Sequence, residues 1–307
     1  QAPGLYEAFG TEDFDDLYLK YEADKTIPKK TVAAQDLFGD LLKERAETGR
    51  IYIMNLDHCN SHSSFKDKVS MSNLCQEITL PTTPIQDIHD DQGEIALCIL
   101  SAINVGGLND LGELESICDL AVRALEQIID YQDYPVKAAE VSTKKRRSLG
   151  IGYIGLAHYL AKHGVKYSDP KAWDLVDRLS EAFQYHLLKA SNNIAKEKGK
   201  CEAFDRTKYA DGLLPIDHYK KEVDEIVPHK QRMAWESLRK DIAKYGLRHS
   251  TLSAQMPSES SSVVSNETNG IEPPRALLSI KKSKKGPLKQ IAPGFPKLKN
   301  DYTLLWD

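Results

Sequence analysis

Glu94-Ile95-Ala96-Leu97-Cys98-Ile99-Leu100-Ser101-Ala102-Ile103-Asn104 is a nearly unbroken apolar run that stops at Gly106-Gly107. Such a run suits a strand buried on both faces, the pattern of a parallel sheet covered by helices. Residues 110–131 then read as a helix, with Leu114, Ile117, Cys118, Ala121, Leu125 and Ile128 forming an apolar stripe at helical spacing. Further helices are expected at 153–163, 170–198 and 230–245, with Gly164, Gly199 and Gly246 where C-caps belong. Residues 250–256 read as another short strand. Strands separated by long helices predict an α/β fold.

Upstream of the run, residues 12–23 read as an acidic helix anchored by Phe14, Leu17 and Leu19. A second helix is expected at 31–47, with Leu37, Phe38, Leu41 and Leu42 on one side and Gly49 as its stop. Arg50-Ile51-Tyr52-Ile53-Met54 has the residue types of a short strand. Residues 57–64 read as loop and 73–80 as a strand closed by Pro81. Downstream, Pro257-Ser258-Glu259-Ser260-Ser261-Ser262 is a serine-rich turn suited to opening a helix. Asn269-Gly270-Ile271-Glu272-Pro273-Pro274 reads as a turn followed by rigid, extended chain.

The chain's 307 residues suffice for two domains or one large α/β domain, and its 41% hydrophobic and 28% charged residues are ordinary for a soluble globular protein. A formal charge of -4 gives no electrostatic reason to expect a nucleic-acid partner. Lys281-Lys282-Ser283-Lys284-Lys285 is basic but short, and reads as a solvated turn. No uninterrupted apolar segment is long enough to span a bilayer. The polar, soon acidic N-terminus does not resemble a secretory leader. Five scattered cysteines do not make a disulfide framework and point to a reducing, cytoplasmic setting. The chain starts at Gln1 and stops at Leu304-Leu305-Trp306-Asp307, as if cut from a larger protein.

Chemistry concentrates in Asn73-Leu74-Cys75-Gln76-Glu77, where an amide, a thiol and a carboxyl recur with a period of two. In extended backbone these side chains share a face, spaced roughly 6–7 Å apart, within reach of one small substrate. A harmless strand edge carries the same alternation. A carboxylate beside Cys75 disfavours the thiolate, which argues against a protease-type nucleophile. One-electron chemistry has no such requirement, because a thiyl radical is neutral and can take a hydrogen atom from carbon. Glu77 is then placed to accept a proton from a hydroxyl, and Asn73 to hold a neighbouring hydroxyl as donor and acceptor.

Cys98 reads either as a small core hydrophobe or as a functional thiol. Cys118 falls on a helical stripe and belongs to the core, and Cys201 follows a helix-ending glycine. His58, Cys59 and His62 lack the second ligand pair that a zinc site needs, so no metal is expected. The Pro257 to Ser262 turn is a candidate anion cradle, with backbone N–H groups and serine hydroxyls together. Ser258 as a plain N-cap is the alternative.

Together these segments closely resemble the large, catalytic subunit of aerobic (class I) ribonucleotide reductase. Asn73 to Glu77 resembles the family's finger loop, and Gly93-Glu94-Ile95-Ala96-Leu97-Cys98 the strand that carries one redox cysteine. Trp235 through Pro257, Pro257-Ser258-Glu259-Ser260-Ser261 and Asn269-Gly270-Ile271-Glu272-Pro273-Pro274-Arg275 continue the likeness in family order across essentially the whole chain.

The resemblance implies that residues 1–307 are part of a ten-stranded α/β barrel, with the finger loop (about 70–80) threaded through its centre and the substrate phosphate turn at about 257–262. It implies reduction of ribonucleoside diphosphates to 2′-deoxyribonucleoside diphosphates, the route to DNA precursors. Cys75 would be the thiyl radical, Glu77 the base at the 3′ hydroxyl, Asn73 the holder of the sugar hydroxyls, and Cys98 half of the redox dithiol. Ser258, Glu259, Ser260 and Ser261 would bind the diphosphate. No cofactor is expected on this chain; a metal-containing small (beta) subunit supplies the radical, and thioredoxin or glutaredoxin the electrons. The partner of Cys98 and the regions that bind nucleotide effectors are expected upstream of Gln1, and the relay tyrosines and tail cysteines beyond Asp307. The chain is therefore expected to work with the remaining segments of the large subunit. Two other readings remain: an inert assembly module that completes another polypeptide, and a thiol hydrolase, for which no histidine is placed as base.

Overall fold

Strands β1 (Leu100–Asn104) and β2 (Gly150–Ile154) run parallel, in register from Leu100↔Gly150 to Asn104↔Ile154. A third extended segment lies along the other edge of β2. There Leu149 and Ile151 donate to the carbonyls of Thr251 and Leu252 at 3.0 and 2.8 Å, and Ala254 donates back to Ile151 at 3.2 Å. The close approach explains Gly152, since a Cβ there would sit 2.4 Å from the Ala254 carbonyl oxygen.

This computed structural model describes residues 2–11, 13–228, 230–283 and 286–302. Its contacts divide the chain into a smaller unit, residues 1–63 and 68–81, and a larger one, residues 64–67 and 82–307.

In the larger unit the crossover from β1 to β2 contains α5 (Leu114–Tyr131) and α6 (Lys137–Arg146). Next come α7 (Leu156–Lys162), α8 (Pro170–Lys198), α9 (Pro215–His218) and α10 (Trp235–Tyr245). The short α11 (Glu259–Val264) precedes an antiparallel hairpin of β3 (Leu278–Ser283) and β4 (Gly286–Ile291). Helix α8 begins with Pro170 at its first turn, where a missing N–H is harmless, and ends at Gly199 with φ +85°. It packs along α5, and Leu114, Cys118, Val122, Leu179, Leu187, Leu188 and Ile194 are buried in the core beside Ile151 and Leu252. Trp235 closes this core, its indole N–H donating to the buried Glu181 at 3.0 Å.

In the smaller unit, α1 (Leu5–Ala8), α2 (Asp13–Ala23), α3 (Ala34–Thr48) and α4 (Leu56–His62) precede the stretch 68–81. Gly49, in the left-handed region, caps α3 as its position suggests, yet Leu37 and Phe38 are 62% and 60% exposed.

The chain is α/β, but several elements differ from expectation. The run at 94–104 is not buried on both faces: only 100–104 is strand, and Leu100 is exposed while Ile99 and Ile103 are buried. Tyr153 and Ile154, expected at the start of a helix over 153–163, instead end β2, and Gly155 at φ +82° turns the chain into α7. On α5 the buried position is Ile129, not Ile128, which is 44% exposed. Arg50–Met54 forms no strand, as no strand among the described residues pairs with it; Arg45 instead donates to the Ile51 carbonyl at 2.7 Å. The expected loop at 57–64 is largely α4. Among the described residues, strands pair only within β1–β2 and β3–β4, apart from isolated bridges, and no closed barrel is formed. Glu12, Lys284, Lys285 and the Leu304 to Asp307 end lie outside the described residues.

Candidate active site

Asn60 on α4 fixes the base of the loop that carries Asn73, Cys75 and Glu77. Its side-chain amide imitates a peptide, accepting from the Val69 N–H at 2.8 Å and donating to the Val69 carbonyl at 2.9 Å. From there the chain climbs to a tight turn instead of the expected strand. Gln76 donates to the Asn73 carbonyl at 3.2 Å, and the Asn73 N–H reaches the Ile78 carbonyl at 3.2 Å. The Asn73 side-chain oxygen then accepts from the Ile78 N–H at 3.1 Å. Gln76 takes φ +65°, a conformation that costs about 1 kcal/mol outside glycine.

A turn replaces the strand because these hydrogen bonds satisfy the backbone locally, so no neighbouring strand is required. The period-two argument for a shared face therefore does not apply, but the three residues do gather on one loop. Cys75 is exposed near its tip. Glu77 is half-buried, and its Oε2 is shut off from solvent with no hydrogen-bond partner among the described residues. A buried carboxylate oxygen without a donor is costly, and a hydroxyl delivered to it would relieve that cost.

In the larger unit, Cys98 sits in the irregular stretch between Glu94 and β1. Glu94 anchors this stretch, exchanging two 3.0 Å backbone bonds with Thr83. Its buried carboxylate is held by Arg146, with Lys145 at 3.4 Å and Arg206 at 3.3 Å. Burial alone would raise the Glu94 pKa; the bond and charge of Arg146, aided by Lys145 and Arg206, bring it below the usual carboxylate range. Between this anchor and the strand, Cys98 is exposed rather than a core hydrophobe. Cys118 and Cys201 are the core cysteines, and burial pushes both thiols up to about 12.

The serine-rich turn also belongs to the larger unit. Ser258 occupies the N-cap of α11, yet its hydroxyl makes no cap bond and lies 3.4 Å from the Met256 carbonyl. Its N–H is already taken, donating to the Asn269 side-chain oxygen at 2.6 Å, so it is not part of an open cradle. Ser260 and Ser261 are exposed. Glu259 pairs with Lys281 and accepts from the Asn269 amide at 3.4 Å. Sequence reading missed Lys281, because it sits in the cluster taken for a solvated turn. The sequence marked Asn269-Gly270 as a turn but did not place the Asn269 side chain.

On α4, the His58 and His62 rings stand 6.2 Å apart. Among the described residues no three His, Cys, Asp or Glu side chains form a metal-binding group. No helix of the described residues is long and apolar enough to cross a membrane.

A family model described as ribonucleotide reductase, barrel domain, matches residues 1–304. The chain belongs to this family. It is 59% identical over 310 aligned positions to the ribonucleoside-diphosphate reductase subunit alpha of Haemophilus influenzae, covering 99% of this chain and 41% of that protein. The same shares are covered in the subunit alpha of Buchnera aphidicola from Baizongia pistaciae, at 57% identity, and in ribonucleoside-diphosphate reductase 1 subunit alpha of Escherichia coli, at 55%. The chain thus spans about two-fifths of the length of these relatives. The match to the barrel domain agrees with the α/β reading of the sequence.

Proposed function

We propose that this chain supplies the reaction centre of a ribonucleoside-diphosphate reductase. It would do so within a larger catalytic subunit that reduces ribonucleoside diphosphates to 2′-deoxyribonucleoside diphosphates. The observation that carries this reading is the loop at 73–77, where Asn73 braces a turn bearing an exposed thiol and a carboxylate with one sealed, partnerless oxygen.

As a thiyl radical, Cys75 takes the 3′ hydrogen, forming S–H and leaving a carbon radical. Glu77 accepts the proton of the 3′ hydroxyl through its partnerless oxygen, and Asn73 holds the neighbouring hydroxyl. The 2′ hydroxyl leaves as water after protonation. Cys98 and a second thiol from another part of the subunit give two electrons and two protons, becoming a disulfide. The hydrogen returns from Cys75 to C3′, which regenerates the thiyl, and Glu77 gives its proton back to the 3′ oxygen. The turn Ser258 to Ser261 would bind the diphosphate through the exposed Ser260 and Ser261 and the Ser258 hydroxyl, with Lys281 offsetting the charge of Glu259.

A metal-containing small subunit would start the radical, and thioredoxin or glutaredoxin would reopen the disulfide. The chain itself would hold no cofactor, and its thiol chemistry suits the reducing cytoplasm. Cys75→Ser in the full-length subunit, assayed with its small subunit, is the test. Loss of deoxynucleotide formation is expected, and turnover at the wild-type rate would remove the proposal.

A further inference from the structure

His158 and Glu267 form a pair that no step above uses. His158 Nδ1 lies 2.8 Å from Glu267 Oε1, with the two side chains only 17% and 6% exposed. The carboxylate is wedged between two glycines. A Cβ on Gly106 would stand 2.7 Å from Glu267 Oε2, and one on Gly155 would stand 2.9 Å from it. Isolated polar pairs are seldom buried without a reason, because burial costs both partners their water. Here the pair fixes one end of a short strap, Glu267 to Gly270.

The strap is further held at its ends, where Gln290 donates to the Glu267 carbonyl at 2.8 Å and Leu156 to the Gly270 carbonyl at 3.4 Å, and along its length. Toward the sheet, Gly155 donates to the Thr268 carbonyl at 3.0 Å, joining the strap to the turn between β2 and α7. Toward the serine-rich turn, Glu267 donates its N–H to the Ser262 carbonyl at 2.8 Å, and Asn269 accepts from the Ser258 N–H at 2.6 Å. Asn269 also donates to Glu259 at 3.4 Å. The turn 258–262 is exposed on its far side at Ser260 and Ser261, and these bonds tie it to the strap.

We infer that His158 and Glu267 are positioning residues for the diphosphate end of the site: they clamp the strap whose Asn269 sets the Ser258 to Ser261 turn. The inference rests on the diphosphate reading of that turn. Neither residue takes part in the proton or hydrogen transfers proposed above. Loosening the clamp therefore weakens substrate binding and leaves the radical chemistry of a bound substrate alone.

The test uses the full-length subunit with its small subunit and CDP as substrate. Glu267→Ala and His158→Ala should each raise KM for CDP at least fivefold with kcat within twofold. The double variant should be no worse than either single one, since both act through one contact. Glu267→Gln, which keeps a hydrogen-bonding oxygen, should stay within twofold of wild type. Gly106→Ala, which pushes on the carboxylate from outside the strap, should reproduce the rise in KM. Should Glu267→Ala fail to fold, His158→Gln and Gly106→Ala carry the same comparison. Unchanged KM in the folded variants, or a fall in kcat alone, overturns the inference. Unmoved KM in the clamp variants beside a raised KM in Ser260→Ala defeats only the clamp; unmoved KM in Ser260→Ala as well defeats the diphosphate reading, and an active Cys75→Ser the reductase reading itself.

Discussion

The side-chain oxygen of Asn73 accepts the backbone N–H of Ile78 at 3.1 Å, so the loop that carries Cys75 is closed by its own first functional residue. Asn73 therefore has a structural duty besides any contact with substrate. One lone pair of its oxygen and its NH2 group remain to be offered to a ligand.

Asn73→Ala should open this loop locally. The Ile78 amide would lose its acceptor, at a cost near 1 kcal/mol, and its hydrogen exchange should speed up about fivefold. Asn73→Asp keeps the acceptor and should leave that exchange rate alone. Amide exchange of the two variants by NMR or mass spectrometry decides the matter; equal rates in Asn73→Ala and wild type would contradict the bracing role.

Glu77→Gln separates catalysis from folding. The Oε2 of Glu77 is buried and without a partner among the described residues, so a neutral amide costs less to hold there than a carboxylate. The variant should melt at the wild-type temperature or slightly above it. Its single-turnover rate in the full-length enzyme should nevertheless fall about 100-fold or more, as expected for loss of a general base. A stable variant with an unchanged rate would show that the carboxylate is not the base.

The cysteines should divide by exposure. Cys98 is exposed, whereas Cys118 and Cys201 are buried with thiols pushed up to about 12. Brief treatment of the native chain with iodoacetamide at pH 8 should modify Cys98 and spare both core thiols, which should react only after denaturation. Peptide mass spectrometry reads this directly. Protection of Cys98 together with Cys118 would return it to the core.

The long elements were legible in the sequence because their signals are local. Helix α8 runs from Pro170 to Lys198 as expected, since a first-turn proline and a closing glycine mark its ends. Strand β2 was not legible: Gly150-Ile151-Gly152-Tyr153-Ile154 carries two glycines whose purpose is set by distant neighbours, Gly152 by the Ala254 carbonyl. The same limit applied at the site. Residue types and spacing singled out Asn73, Cys75 and Glu77, but not the turn they occupy, which depends on one side-chain bond to Ile78 and a left-handed Gln76. His158 and Glu267, 109 positions apart, had no sequence signal at all.

The acid stability of the larger unit should depend on Glu126. This buried side chain on α5 receives Arg147 at 2.8 Å, Arg248 at 2.8 Å and His249 at 3.1 Å. Burial alone would raise its pKa, but the hydrogen bonds from His249, Arg147 and Arg248 outweigh that and bring it to about 2 from an ordinary 4.5. Since the folded value is the lower one, the carboxylate stabilises the fold fully above pH about 4.5. That contribution, about 3 kcal/mol at most, is lost as pH falls toward about 2. Glu126→Gln removes the charge: Arg147 keeps Asp130 at 2.8 Å, but the half-buried Arg248 loses its carboxylate, which should destabilise by about 1–3 kcal/mol at pH 7. Urea unfolding at pH 7, 4.5 and 3 should then show wild type losing stability across the acid range and the variant losing less. If both lose stability in parallel, the acid sensitivity arises from other carboxylates, with Glu94 and its Arg146 partner the next pair to test.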